Sequence, residues 1–158
     1  MPRSIGKRRK PRYEPSEIYI FEIARWEPTY GLSVDPSRDR AGPYSEHAIL
    51  EIQATCILPR KLAGRTAQFS LAGQRDFLSP PDYKHDPKWT PRCIGLLELP
   101  PSGGRFYALV PHDSLPMLMA SLALRMCRYI LLFGPPLSRG KSLCTSLQLE
   151  RSVDLEDY

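Results

Sequence analysis

The chain has 158 residues, of which 22 are basic and 17 acidic, and its formal net charge at pH 7 is +5. This length suits one domain with a sizeable core, and no apolar run approaches the 18 or more residues that a membrane-spanning helix requires. We therefore expect a soluble protein without membrane contact, located in the cytoplasm, or in the nucleus if the source is eukaryotic.

The net charge is concentrated at the N-terminus. Residues 1–12 contain six basic side chains and no acidic one, so that 16 basic and 17 acidic residues remain in the body. Polar composition and prolines predict a disordered basic arm over residues 1–15, a globular domain over 16–151 and an acidic tail over 152–158. The cationic side chains that suit weak, sequence-independent binding of nucleic acid are Lys7, Arg8, Arg9, Lys10 and Arg12. A nuclear-localisation-like address and a solvated tail are the alternatives.

Short runs of β-branched, aromatic and alternating residues predict strands at 17–25, 47–58, 65–72, 93–99, 105–110, 129–133 and 142–150. The connection over 100–104 predicts a hairpin. A single helical face with apolar flanks predicts one largely buried helix near 114–128. The fold class is therefore α+β and β-rich, with about seven mainly antiparallel strands in a sheet or in a sandwich- or barrel-like arrangement.

Two connections, 27–46 and 73–92, are each twenty residues long, which exceeds the usual loop length and favours a functional role. The second combines charges of both signs with aromatic side chains, as binding loops often do. Its predicted binding residues are Tyr83, Lys84, His85, Asp86, Lys88, Trp89 and Arg92.

The remaining motifs favour no chemistry. The segment from Gly134 to Ser142 resembles a phosphate-binding loop, but five residues separate its glycines and two of these are prolines, which have no N–H to offer. The four cysteines lack a C-x-x-C spacing, and the three histidines lack the spacing of metal ligands. We predict no catalytic residue, no metal, no cofactor and reduced cysteines.

The leading hypothesis is a small non-enzymatic binding or accessory module that presents the two long connections to a protein partner. Self-association is the alternative to such a partner. Nucleic-acid binding through residues 1–12 is the alternative. An enzyme centred on His85 or His112 is a further alternative, although a histidine and its adjacent aspartate point in opposite directions on an extended chain.

Overall fold

The computed structural model describes residues 16–34, 44–75 and 92–157. In these ranges, eight strands form one sheet, accompanied by one α-helix and two short 3₁₀ helices. The strands and the helix are β1 (Glu17–Val34), β2 (Tyr44–Leu58), β3 (Thr66–Gln74), β4 (Gly95–Glu98), β5 (Gly104–Pro111), α1 (Ser114–Ala123), β6 (Tyr129–Gly134), β7 (Lys141–Cys144) and β8 (Ser146–Glu150). The 3₁₀ helices are Arg60–Leu62 and Leu155–Asp157. The predicted β-rich α+β class is confirmed.

The strand order in the sheet is β7-β4-β5-β3-β2-β1-β6-β8. Every described pair is antiparallel except β3 with β5, and β4 and β5 form the predicted hairpin. The outermost strands in this order, β7 and β8, are separated in the chain by Thr145 alone, whose backbone N–H donates to the carbonyl of Phe133 on β6 at 2.7 Å. The sheet therefore curls until its two ends meet.

The side chains on the inner face of this curl form the core. Phe21, Phe69 and Phe106, from β1, β3 and β5, are fully buried. The ring of Phe69 lies 5.0 Å from that of Phe21 in an edge-to-face arrangement and 5.4 Å from that of Phe106. These contacts connect strands that are far apart in sequence.

Strand 142–150 was predicted as one continuous strand with Leu143, Leu147 and Leu149 on one face. The structure corrects this, because the chain changes partner at Thr145 from β4 to β6. Leu143 is 48% exposed, whereas Ser142 is buried and its hydroxyl donates to the carbonyl of Pro135 at 2.7 Å. Leu147 and Leu149 pack against the core as expected.

The helix is shorter and more exposed than predicted. It ends at Ala123, and only Leu115 and Leu122 are buried. Arg125 adopts a left-handed conformation (φ 54°), and the N–H of Met126 donates to the carbonyl of Ser121, which is the hydrogen-bond pattern of a helix-terminating turn. The apolar flank that predicted enclosure remains in solvent, with Met117 and Leu124 more than 60% exposed.

Candidate functional site: a hairpin arm with an open edge

The hairpin of β1 and β2 extends beyond the strands that flank it. On one side, β6 pairs with β1 only over residues 17–22, and on the other, β3 pairs with β2 over residues 49–55. Residues 26–34 of β1 and 44–48 of β2 therefore pair with each other's strand but with no described strand on their outer sides, and we call these two segments the hairpin arm.

The arm corrects the prediction of a loop over 27–46. Residues 27–34 and 44–46 are paired strands with an unbroken register from Arg25 opposite Gln53 to Val34 opposite Tyr44. Pro28 fits this pairing although proline cannot donate a hydrogen bond to a ladder. In the structure it lies opposite Leu50, at a position that needs no donor toward β2.

The hydrogen bonds of β2 show in which direction the backbone N–H and C=O groups of the arm point. The N–H of Cys56 donates to the carbonyl of Arg65, and the carbonyl of Cys56 accepts from Gly64, so the backbone of Cys56 faces away from β1. Since hydrogen-bonding direction alternates along a strand, even-numbered residues of β2 from 46 to 54 also face away from β1. Their partners on β1 then direct N–H and C=O away from β2.

Beyond Trp26, four residues of the arm therefore point their backbone groups to its outer edge: Pro28, Tyr30, Leu32 and Val34. No strand of the described residues pairs with this edge. Pro28 offers only a carbonyl there, whereas the other three each offer a donor and an acceptor. We call residues 28–34 of this edge the open edge.

The same alternation places the side chains of Tyr30, Leu32 and Val34 on one face of the arm. They are 63%, 60% and 61% exposed, respectively. This face continues the inner face of the sheet, because Trp26 and Ala48, which have the same alternation, pack against the core. The arm thus presents, on one side, apolar side chains together with backbone groups that no described strand pairs with.

A polar cluster braces the arm at Glu46, which lies opposite Leu32. Glu46 accepts two hydrogen bonds from the guanidinium of Arg75, of which the one from Nε measures 2.8 Å. It accepts a third from the hydroxyl of Tyr30 at 3.2 Å. The hydrogen bonding from Arg75 lowers the pKa of Glu46, while partial desolvation and the bond to Glu46 raise the pKa of Tyr30. With His112 beside them, these residues form what we call the Glu46 cluster. It ties β2 to the end of β3 and holds the Tyr30 side chain in place.

Two open depressions adjoin the cluster. One, of about 490 Å³, is lined by Leu32, Glu46, Gly73, Gln74, Arg75 and His112. The other, of about 240 Å³, lies between the arm and α1 and is almost entirely apolar, with Tyr30, Leu50, Leu115 and Met119 among its lining residues. A third depression, of about 280 Å³, is lined only by Ala, Gln, Thr and Gly residues and brings no titratable group together. The apolar depression extends the exposed face of the arm towards the helix.

Among the described residues, neither His47 nor His112 forms a hydrogen-bonded catalytic pair with a carboxylate. The Nε2 atom of His112 is buried without a hydrogen-bond partner, and it lies 3.8 Å from Oε1 of Glu46, beyond hydrogen-bond distance. Its Nδ1 atom lies 3.8 Å from Oδ1 of Asp113. His47 has the opposite alternation to Glu46 and its ring stands over Gly31 on the other face of the arm, so that His47 and His112 do not converge. The proposed centre at His112 therefore lacks a preformed base–carboxylate dyad.

Most of the sequence-predicted site lies outside the described residues. This holds for Tyr83, Lys84, His85, Asp86, Lys88 and Trp89, and for the basic residues Lys7, Arg8, Arg9, Lys10 and Arg12. Arg92 is described and exposed. Of the connection 73–92, Gly73 and Gln74 belong to β3. The Glu46 cluster was missed because its members, at 30, 46, 75 and 112, share no local motif.

Comparison with known protein families, with curated proteins and with solved structures finds no match to this chain. No helix within the described ranges is long and apolar enough to span a membrane, and these ranges contain no group of three or more His, Cys, Asp or Glu side chains that could hold a metal ion. What the fold and the site define is a β-rich domain with a braced, projecting arm. Its function has to be argued from that geometry.

Proposed function

We propose that this protein is a small non-enzymatic binding module that receives an extended strand of a protein partner at its hairpin arm. One observation carries the proposal: the open edge combines backbone groups that pair with no strand in ranges 16–34, 44–75 and 92–157 with the exposed apolar side chains of Tyr30, Leu32 and Val34. Addition of a strand to an exposed sheet edge is a recurrent mode of peptide recognition, in which backbone hydrogen bonds provide affinity and alternate side chains provide specificity.

The arm has the properties that such a role requires. A long, uncharged edge is a liability in a soluble protein unless another strand covers it, and natural edges are usually blunted with charge, proline or bulges. Residues 28–34 contain no charged side chain, and Pro28 is the single blunting device among them. The bonds from Arg75 and Tyr30 to Glu46 hold the arm in place opposite Leu32, which reduces the entropy lost when a partner binds.

The electrostatics of the site support binding over acid–base catalysis. Glu46 is one of two described carboxylates that lie 3.8 Å from His112, and its hydrogen bonds from Arg75 hold its pKa below the ordinary value. A carboxylate engaged in this way is a weak general base, since catalysis favours a base whose pKa lies near the working pH. The cluster is better suited to brace the arm.

The test is selection of binding peptides from a displayed library of random 12-residue peptides on the full chain. Leu32→Lys places a charge on the open edge, and Leu143→Lys is the matched control, because Leu143 is an exposed leucine on β7, at the other end of the strand order. Selected peptides should bind wild type and Leu143→Lys equally and lose at least about tenfold in affinity for Leu32→Lys. Equal binding to all three proteins, or no selection of binders, would refute the proposal.

A further inference from the structure

We infer that the end of the sheet opposite the hairpin arm binds single-stranded nucleic acid. This surface is separate from the open edge, so the inference goes beyond the proposed function. Four segments meet at this end of the sheet: the start of β1 (16–20), 59–65, 98–105 and 134–141. We call these four segments the basic end.

Direct contacts hold the four segments together. Lys61 forms an ion pair with Glu17 at the start of β1, with Nζ 2.7 Å from Oε1. The guanidinium of Arg65 donates to the carbonyl of Leu99 at 2.8 Å. The N–H of Leu99 donates in turn to the carbonyl of Gly140 at 2.9 Å. The basic end is therefore one continuous surface and not a set of separate turns.

The excess of basic residues in the described chain lies at this end. The basic end contains six basic and two acidic residues, a formal charge of +4, whereas the other described residues include six basic and nine acidic ones, a formal charge of −3. The six basic residues are Arg60, Lys61, Arg65, Arg105, Arg139 and Lys141. In the sequence, residues 1–12 add six more basic residues shortly before β1, which begins at this end. A surface with one sign of charge raises the local concentration of an oppositely charged ligand.

The cations of the basic end are accessible, whereas its carboxylates are recessed. The side chains of Lys61, Arg105 and Lys141 are at least 60% exposed. Their ion-pair partners, Glu17 and Glu98, are at most 20% exposed. A ligand that approaches from solvent therefore meets the ammonium and guanidinium groups first.

Two arginines of the basic end keep their whole charge for a ligand. Arg60 and Arg139 are exposed, and neither forms an ion pair with a carboxylate of the described ranges. The planar guanidinium of arginine can donate two hydrogen bonds to one phosphate, which makes arginine well suited to nucleic-acid backbones. Four of the six cations at this end are arginines.

An exposed aromatic ring lies beside the cations on the same face of the sheet. Arg105 lies opposite Glu98, and Glu98 lies opposite Lys141, so this charged row crosses β5, β4 and β7. Tyr107 is two residues after Arg105 on β5, and it therefore points to the same face, where it is 52% exposed. Single strands are bound by cationic grooves that follow the phosphates and by aromatic side chains on which bases stack. The charged row and Tyr107 provide both elements.

The basic end suits a single strand better than a duplex or a membrane. The major groove of a duplex admits a helix or a two-stranded ribbon, and in the described chain α1 and the hairpin arm both lie at the other end of the sheet. Binding to a membrane surface combines basic residues with apolar side chains that enter the lipid. Within the four segments of the basic end, no large apolar side chain is exposed.

The first experiment measures binding of the full chain to a labelled single strand of about 12 nucleotides by fluorescence anisotropy at several salt concentrations. One variant combines Arg60→Glu with Arg139→Glu. The matched control combines Arg125→Glu with Arg151→Glu, which lowers the net charge equally at the other end of the sheet. Each pair includes one arginine with a left-handed backbone, with φ 52° at Arg139 and 54° at Arg125.

We expect the variant at Arg60 and Arg139 to bind at least about tenfold more weakly than wild type. Its salt dependence, the slope of log affinity against log salt concentration, should fall by about 1.4, because two phosphate contacts to a single strand are lost. The control should stay within about threefold of wild type, since salt screens distant charges. Circular dichroism of both variants checks that the fold is intact.

The second experiment tests the stacking of a base on Tyr107. Tyr107→Ala should weaken binding of the single strand by about tenfold, whereas Tyr107→Phe keeps an aromatic ring and should bind as wild type does. Neither substitution removes a cation, so the salt dependence should stay unchanged in both.

The inference is wrong if wild type does not bind the single strand at low salt, or if both charge variants lose affinity equally. Unchanged binding by the variant at Arg60 and Arg139 also overturns it, because residues 1–12 would then account for the affinity. A duplex bound as tightly as the single strand contradicts the assigned ligand. So does binding of phosphatidylserine vesicles in the absence of oligonucleotide binding. None of these results affects peptide selection at the open edge, which tests the proposed function independently.

Discussion

Truncation of Phe69 to alanine tests whether the fold depends on the aromatic contacts between β1, β3 and β5. The ring of Phe69 is fully buried and lies between those of Phe21 and Phe106, at 5.0 and 5.4 Å. Removal of a buried phenylalanine ring costs about 3–5 kcal/mol in lost burial and cavity formation. Each aromatic pair contributes about 0.5–1.5 kcal/mol of this beyond burial. Phe69→Ala should therefore lower the free energy of unfolding by about 4 kcal/mol.

Phe69→Leu separates the two contributions. Leucine refills much of the volume but makes no aromatic pair, so its cost should be about 1–3 kcal/mol, the value of two lost pairs. Tyr107→Ala is the matched control, because Tyr107 follows Phe106 on β5 and points to the other face of the sheet, where it is 52% exposed. We expect its cost to stay within about 0.5 kcal/mol.

Urea unfolding followed by circular dichroism measures all three variants. With a slope of about 2 kcal/mol per molar urea, Phe69→Ala should move the midpoint down by about 2 M, and Tyr107→Ala by less than about 0.3 M. The reasoning fails if Phe69→Ala and Tyr107→Ala shift the midpoint equally. It also fails if Phe69→Leu costs as much as Phe69→Ala, since the aromatic pairs would then account for the whole effect.

Gly95→Ala should destabilise the fold by about 1–3 kcal/mol, because the added Cβ would stand 2.5 Å from a ring carbon of the buried Phe106. Thermal unfolding measures this loss, and an unchanged midpoint would refute it. Burial raises the pKa of Cys56 and of Cys144 to about 11, so both thiols should resist a disulfide reagent at pH 8 and react once urea unfolds the chain. Reaction of all four cysteines in the native protein would contradict this. Hydrogen bonds from a lysine and an arginine lower the pKa of Glu98 in the folded protein. The carboxylate therefore contributes stability above the ordinary carboxylate pKa, and this contribution is lost as pH falls through the lower pKa of the folded state, so Glu98→Gln should weaken the acid dependence of unfolding. Under the alternative hypothesis of nucleic-acid binding through residues 1–12, a chain that starts at Tyr13 should lose the salt-dependent affinity of the full chain. Equal affinity of both chains would eliminate these residues as a binding element.

The parts of the fold that sequence predicted are those in which the pattern of burial is local. Alternation over residues 47–58 identified most of β2, and Leu115 and Leu122 marked the face of α1 that the structure buries. The end of α1 was missed for an equally local reason. Arg125 terminates the helix with a left-handed conformation that glycine usually supplies, so no sequence signal marked the stop.

The Glu46 cluster could not be predicted, because its geometry depends on strand order. Glu46 meets Arg75 only because β2 and β3 are neighbours, and it meets His112 only because β5 pairs parallel to β3 and ends beside it. After β3 the chain forms β4 one position further along the sheet, and it then returns as β5, which fills the position between them. No pattern within any one strand specifies that order. The side chains were visible in the sequence, but their proximity was not.

The hairpin arm could be predicted in part from the sequence, and it shows how a proline in a strand is best interpreted. After Pro28, the chain alternates Thr29, Tyr30, Gly31, Leu32, Ser33 and Val34, which has the period of two that predicted other strands. The alternation predicts a strand, and proline is compatible with a strand wherever its nitrogen faces away from the partner. Which way that nitrogen faces depends on the register against β2, and a register is a property of two segments together. A sequence can therefore indicate that residues 28–34 form a one-sided apolar strand, while only the pairing shows that this strand keeps an open edge.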